Sequence, residues 1–225
     1  MAERIVALVP MRHHSARIPG KNLRLLGGVP LFHHILRTLE SVTELAEVVV
    51  DTDSEPVRQE LRQHFPAVHV LERPRALCGD AVPMTQILHH DASLVEASSY
   101  LQTHATNPFL KSETVGRALQ RWRQVHDRHD SLFSVSRLQA RLWDQAARPI
   151  NHDAAHLIQT QQLPPVFLEN SCLYLFPREL ILSRHRRIGE RPFLFELDPA
   201  EALDIDEARD FALAERLMRA VEVVG

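Results

Sequence analysis

Ile5-Val6-Ala7-Leu8-Val9-Pro10-Met11-Arg12-His13-His14-Ser15-Ala16-Arg17-Ile18-Pro19-Gly20-Lys21-Asn22 is an apolar run delivered straight into a polar, cationic loop. Five apolar residues without alternation mark a strand buried on both faces, as in a parallel sheet. The run is too short for a signal-peptide core or a membrane span. Working outward, Phe32, Ile35, Leu36 and Leu39 recur at helical spacing. Glu47–Val50 is a second strand, and Asp53 or Ser54 is placed to cap a helix running towards Phe65. Val68–Leu71, Ser99–Gln102, Leu132–Val135 and Cys172–Phe176 read as further strands. Helical stripes lie at Met84, Ile87, Leu88 and Val95, at Val115, Ala118, Leu119 and Trp122, and at Phe211, Ala214, Leu217 and Val221. This alternation predicts an α/β fold with a mostly parallel central sheet covered on both faces. Residues 137–170 break the rhythm with Pro149, Pro164 and Pro165, and read as an excursion suited to a lid or a subunit contact. The expectation is one domain over residues 1–225.

Composition narrows the function classes. The 225 residues are 44% hydrophobic and 24% charged, ordinary values for a globular chain. With 26 basic and 29 acidic residues, the net charge of -3 gives no bulk attraction to nucleic acid or to an anionic membrane. Two distant cysteines, Cys78 and Cys172, argue against a disulfide framework and fit a reducing, cytoplasmic setting. Histidine is frequent, with 14 copies, but the pairs His33-His34 and His89-His90 diverge on a helix and make poor metal sites.

In open α/β sheets ligands bind beyond the carboxyl ends of the strands. Residues 11–22, 51–55, 72–81, 102–108 and the stretch near 204 are therefore the places to look. The first loop lacks the spaced glycines of a Walker A or a dinucleotide motif. Its Arg12, Arg17 and Lys21 nevertheless suit a triphosphate, with a solvated basic loop as the alternative. Asp204 and Asp206 stand two apart, so on an extended stretch both carboxylates face one side and offer hard oxygen ligands to Mg²⁺. The rival is helix capping, with Asp206 as the cap. Asp51 and Asp53 pose the same choice. Arg73 reads as a phosphate or ribose contact or a surface salt bridge. Gln102 reads as a reader of a base edge or part of a polar turn.

Together these segments resemble the acylneuraminate cytidylyltransferase family. Arg12, Ser15, Arg17 and Pro19-Gly20-Lys21-Asn22 are similar to its opening signature, and Val48–Ser54 to its second-strand block. Arg73-Pro74 with Asp80, Gln102 to Pro108, and Leu163-Pro164-Pro165 with Glu169-Asn170 and Tyr174 follow in family order. Leu203-Asp204-Ile205-Asp206 with Asp210-Phe211 matches its late block. The chain departs from the pattern at His13-His14, where many members have Gly-Gly. It departs again at Gln159-Thr160-Gln161-Gln162, where an Arg-containing block is usual and would meet the sugar's carboxylate.

The resemblance implies a Rossmann-like three-layer nucleotidyltransferase fold with a small dimerisation excursion, and a homodimer. It implies transfer of CMP from CTP to an acidic, sialic-acid-like sugar, with pyrophosphate released. Arg12, Lys21 and Asp204 would be catalytic. Arg12, Ser15, Lys21, Asn22, Arg73, Asp80 and Gln102 would hold the nucleotide. Gln102, Thr106, Gln161, Glu169 and Asn170 would hold the sugar, and Asp204 and Asp206 would hold Mg²⁺. The alternatives are another acceptor, such as an eight-carbon keto acid or a phosphonate, and a non-catalytic nucleotide-binding paralogue.

Overall fold

The computed structural model describes residues 3–224; Val221, the last apolar position of the final stripe, lies outside the described side chains. In chain order the elements are β1 (Ile5–Leu8), β2 (Leu25–Leu26), β3 (Val29–Pro30), α1 (Leu31–Glu40), β4 (Glu47–Thr52) and α2 (Glu55–His64). They continue as β5 (His69–Glu72), α3 (Met84–Leu94), β6 (Ser99–Thr103), α4 (Ser112–Val125) and β7 (Ser131–Leu138). The last are β8 (Val166–Pro177), α5 (Arg178–Arg184), β9 (Pro192–Glu196) and α6 (Ala208–Val224).

Seven strands form one sheet in the order β5-β4-β1-β6-β8-β7-β9. Every neighbouring pair is parallel except those of β8, which runs against both β6 and β7. The side chains of β1 explain the layering. Ile5, Ala7 and Val9 point into a core shared with α1, α2 and α4, while Val6 and Leu8 point into one shared with α3 and α5. A buried central strand must be apolar on both faces, which is why its sequence does not alternate. A third core joins α6 to the first loop through Ile18, Leu26, Leu31, Ile205, Phe211 and Ala214.

Three elements carried too weak a periodicity to be read in advance: the hairpin β2–β3, α5 and β9. The hairpin turns on Gly27 and Gly28, both at positive φ, as a two-residue turn requires. The excursion is narrower than 137–170, because β7 extends to Leu138 and β8 begins at Val166, leaving 139–165 as the insert. Along β7 the register moves two residues, Phe133 to Val135, while β8 moves five, Tyr174 to Glu169. The surplus is a bulge with Ser171 at φ 58, and bulges re-aim side chains next to sites.

Candidate active site

The carboxyl ends of β1, β5, β6 and the β8 bulge border a cavity of about 400 Å³. Arg12, Ser15, Arg17, Lys21 and Asn22 reach it from the first loop, and Arg73 and Cys78 from beyond β5. His104 and Thr106 enter after β6, Ser171 from the bulge, and Asp204 and Asp206 from the segment before α6. Arg187 completes the wall from the turn after α5.

The first loop is held at three points. Met11 donates its N–H to the Asp51 carbonyl, prolonging the line of β1. His13 donates its N–H to Asp53 Oδ1 at 2.6 Å, and its ring Nδ1 lies 2.9 Å from Ser54 Oγ. Ser54 also caps α2 by accepting from the Val57 N–H. The capping choice thus falls to Ser54, and Asp53 serves the loop rather than a metal. Gly20 adopts φ 66, and Lys21 opens a short 3₁₀ turn directly after it. Lys21 Nζ donates to the Ile205 carbonyl at 2.7 Å and lies 3.4 Å from Asp206 Oδ1. Asn22 donates to the Arg12 carbonyl at 3.2 Å, so it braces the loop as well as lining the cavity.

The acidic segment is fixed from the opposite side. The Ile205 N–H donates to the Thr106 carbonyl, and Asn107 donates to the Leu203 carbonyl. Asp206 is not the cap of α6: Asp210 takes the N–H groups of Asp206 and Glu207 at 3.0 and 2.7 Å. That leaves the Asp206 carboxylate for Arg17 and Lys21. Asp204 Oδ1 is buried with no hydrogen-bond partner among the described residues. Burial is the main cause that raises the Asp204 pKa, with the Thr106 hydroxyl working the other way. An orphaned, desolvated carboxylate oxygen beside a second carboxylate fits a hard divalent cation.

Arg73 is neither a surface salt bridge nor a loose phosphate contact. It is buried and bonded through Nε to Asp51, while also lining the cavity. Behind it, Asp91 has both carboxylate oxygens without partners, and its pKa is pushed up to about 9, first by burial and then by Asp51. Asp51, His90 and Asp91 bring ligand atoms within 4.8 Å of one another. Arg73 is already bonded to Asp51, and the raised Asp91 pKa favours a protonated carboxyl beside it.

Several sugar and nucleotide assignments need correction. Gln102 is fully buried and does not line the cavity; its Oε1 accepts from Arg187 at 2.7 Å and its Nε2 lies 3.0 Å from His104 Nε2. It cannot read a base edge, because both ends of its amide are engaged within the protein. Burial and the nearby Arg187 lower the His104 pKa to about 4, so His104 is neutral at pH 7 and accepts from the Gln102 amide. Asp80 is exposed and pairs with Arg12 at 2.7 Å at the mouth. Gln161 lies exposed in the insert, away from the cavity lining. Asn170 is spent on Ser134 and Ser136 at 2.6 and 3.1 Å. Glu169 is exposed, accepts the Tyr174 hydroxyl and does not line the cavity. Thr106 lines the cavity. His104, Ser171 and Arg187 were missed: one lay in a read segment without a role, and the others depend on the bulge and on the turn after α5.

A doubly covered, mainly parallel sheet with a cationic first loop and facing carboxylates at its carboxyl edge defines an α/β nucleotidyltransferase. The model of the family described as "Cytidylyltransferase" matches residues 6–223, and the chain belongs to that family. A CMP-N,N'-diacetyllegionaminic acid synthase of Legionella pneumophila is 30% identical, with 96% of each chain covered. N-acylneuraminate cytidylyltransferase A of Danio rerio is 26% identical over 94% of this chain, which spans 50% of that protein. Among solved structures, a CMP:2-keto-3-deoxy-manno-octonic acid synthetase complexed with CTP superposes with a TM-score of 0.72 at 17% identity, covering 97% of this chain and 99% of that one. A 4-diphosphocytidyl-2C-methyl-D-erythritol synthase gives a TM-score of 0.69 at 15% identity, with coverages of 97% and 99%. These structural likenesses bear on the fold.

Proposed function

We propose that the protein transfers CMP from CTP to an acidic sugar of the nonulosonic class, with release of pyrophosphate. The observation that carries this reading is the meeting of Arg12, Lys21 and Asn22 with Asp204 and Asp206 across one cavity. A sugar hydroxyl attacks the α-phosphorus, the bond between α- and β-phosphates breaks, and pyrophosphate leaves with the electron pair. The hydroxyl's proton passes to solvent or to a nearby base. Catalysis of this step is chiefly positioning and charge neutralisation.

Lys21 sits between the loop and the carboxylates, where it would meet the triphosphate and the charge growing on the leaving group. Arg12 is held by an exposed pair worth at most about 1 kcal/mol, so phosphate draws it from Asp80 at little cost. Ser15 lines the same wall. Arg73 would meet the nucleotide, with Asp51 fixing its direction. Asp204 and Asp206 would hold Mg²⁺. When bound, Mg²⁺ neutralises phosphate oxygens and acidifies a coordinated hydroxyl.

The insert supports a homodimer. Trp143, Ile150, Leu157, Ile158, Phe167 and Leu168 are exposed on it and on the ribbon leading into it. Six large apolar side chains exposed within residues 143–168 are a feature that a second copy would cover. No helix among the described residues is long and apolar enough to cross a membrane. Free Cys78 and Cys172 agree with a cytoplasmic enzyme drawing on the CTP pool.

The test is pyrophosphate release with Mg²⁺, crossing four nucleoside triphosphates with N,N'-diacetyllegionaminic acid, N-acetylneuraminic acid and 2-keto-3-deoxy-manno-octonic acid. Release that needs CTP and one of the acids is expected. CTP binding without turnover on a wide acceptor panel would favour the non-catalytic paralogue.

A further inference from the structure

Arg187 is the one cavity arginine that the sequence pattern left without a role, and its surroundings say what it is for. The helix α5 ends at His185 in the left-handed conformation, which turns the chain back towards the sheet. The His185 ring stacks on His89 of α3, with centroids 4.3 Å apart. Two residues later the Arg187 guanidinium lies over the Tyr174 ring, 3.7 Å from its centroid. Nη1 donates to Gln102 at 2.7 Å. The side chain is 20% exposed and lines the cavity. A side chain with a stacked face and one anchored nitrogen has its fork preset.

Its charge is also the least neutralised in the cavity. Arg12 bonds to Asp80, Arg17 to Asp206 and Arg73 to Asp51. Arg187 has Glu169 at 3.9 Å, beyond hydrogen-bond range, and Glu169 already accepts the Tyr174 hydroxyl. The sheet order gives the ligand half it serves. From β5 to β8 is four strand steps, roughly 19 Å at the usual spacing. The triphosphate cations stand on the loop after β1, and Arg73 stands beyond β5. The hydrogen bond, ring contact and ion pair of Arg187 go to Gln102 of β6 and to Tyr174 and Glu169 of β8, the far side.

We infer that Arg187 binds the carboxylate of the sugar acid through its fork and so selects acidic acceptors, in place of the arginine missing from residues 159–162. The inference rests on the proposed transfer reaction. In the ring form of a 2-keto sugar acid, the carboxylate and the attacking hydroxyl share one carbon. Holding the carboxylate therefore aims the nucleophile. Gln102 becomes a positioning residue that sets the guanidinium.

The test compares the wild type with Arg187→Gln and Arg187→Lys, using whichever of the three acids the wild type turns over fastest, its C1 carboxamide, and CTP. The wild type should prefer the acid. In Arg187→Gln, the KM for the acid should rise on the order of 30-fold and the acid-to-amide ratio of kcat/KM should collapse, with the KM for CTP unchanged. Arg187→Lys should restore part of the ratio, since it returns charge without the fork. An acid-to-amide ratio unchanged in Arg187→Gln overturns the inference, whether the loss falls equally on both acceptors or on CTP. Wild-type silence with every acid overturns the transfer reaction, and the inference with it.

Discussion

Lys21 and Asp204 show how single side chains are made ready by their surroundings. Lys21 is nearly buried and bonded to a carbonyl of the acidic segment, so its ammonium is aimed before any substrate arrives. Lys21→Ala should lower kcat by about 100-fold or more while leaving the unfolding midpoint little changed, as checked by pyrophosphate release and thermal melts. Asp204→Ala should abolish Mg²⁺-dependent turnover, and excess chelator should do the same to the wild type; full activity in chelator would remove the metal from the site. Asp91 offers a test in pH. Its folded pKa of about 9 lies above the ordinary 3.8, so across that window the folded state binds the extra proton. Stability from this group is complete below 3.8 and is lost as pH rises towards about 9. Asp91→Asn keeps the neutral form and should flatten the fall of the melting temperature between about pH 4 and pH 9. An unchanged profile would mean that Asp91 does not hold its proton in the folded state.

At the scale of elements, the first loop and the β4–α2 junction work as one unit. Ser54 caps α2 and touches the His13 ring, while Asp53 takes the His13 N–H. The two contacts should separate by mutation. Ser54→Ala should cost about 1 kcal/mol of stability in denaturant unfolding. Asp53→Ala frees the loop without removing the cap, and should raise the KM for CTP about 3- to 10-fold with little loss of stability. The β8 bulge plays the matching part on the other side, since Ser171 reaches the cavity only because the β7–β8 register slips there.

The whole molecule divides its cavity between two supports. The parallel half of the sheet carries the cationic first loop and Arg73, and the β6–β8 half carries His104, Ser171 and the anchors of Arg187. The insert connects β7 to β8, so a dimer formed through it would also steady the wall that holds Arg187. Leu157→Asp combined with Leu168→Asp should give a monomer by light scattering if the insert is the dimer contact. A dimer that survives both charges would place the interface elsewhere.

The local and periodic features of this protein were legible in its amino-acid sequence. The unbroken run at Ile5–Val9, the helical stripes, and the order of the loops beyond the strands required only nearest-neighbour physics and burial. Residues 12–22 were legible because their charges follow an apolar strand, at the edge where an α/β sheet receives its ligands, and 204–206 because two carboxylates two residues apart face one side of an extended stretch. The rest was decided by tertiary structure. Gln102 looked like a reader of bases because its type allows it, but folding seats Arg187 and His104 against it from distant or local turns. Arg73 looked superficial until Asp51 closed over it. Asn170 turns to Ser134 and Ser136 where the β7–β8 register slips by three residues, and hydrophobic pattern does not encode such a slip; Gln161 stands exposed in the insert, before β8 begins. Long-range partners fix what a polar side chain can do, and those partners become visible only when the chain has closed on itself.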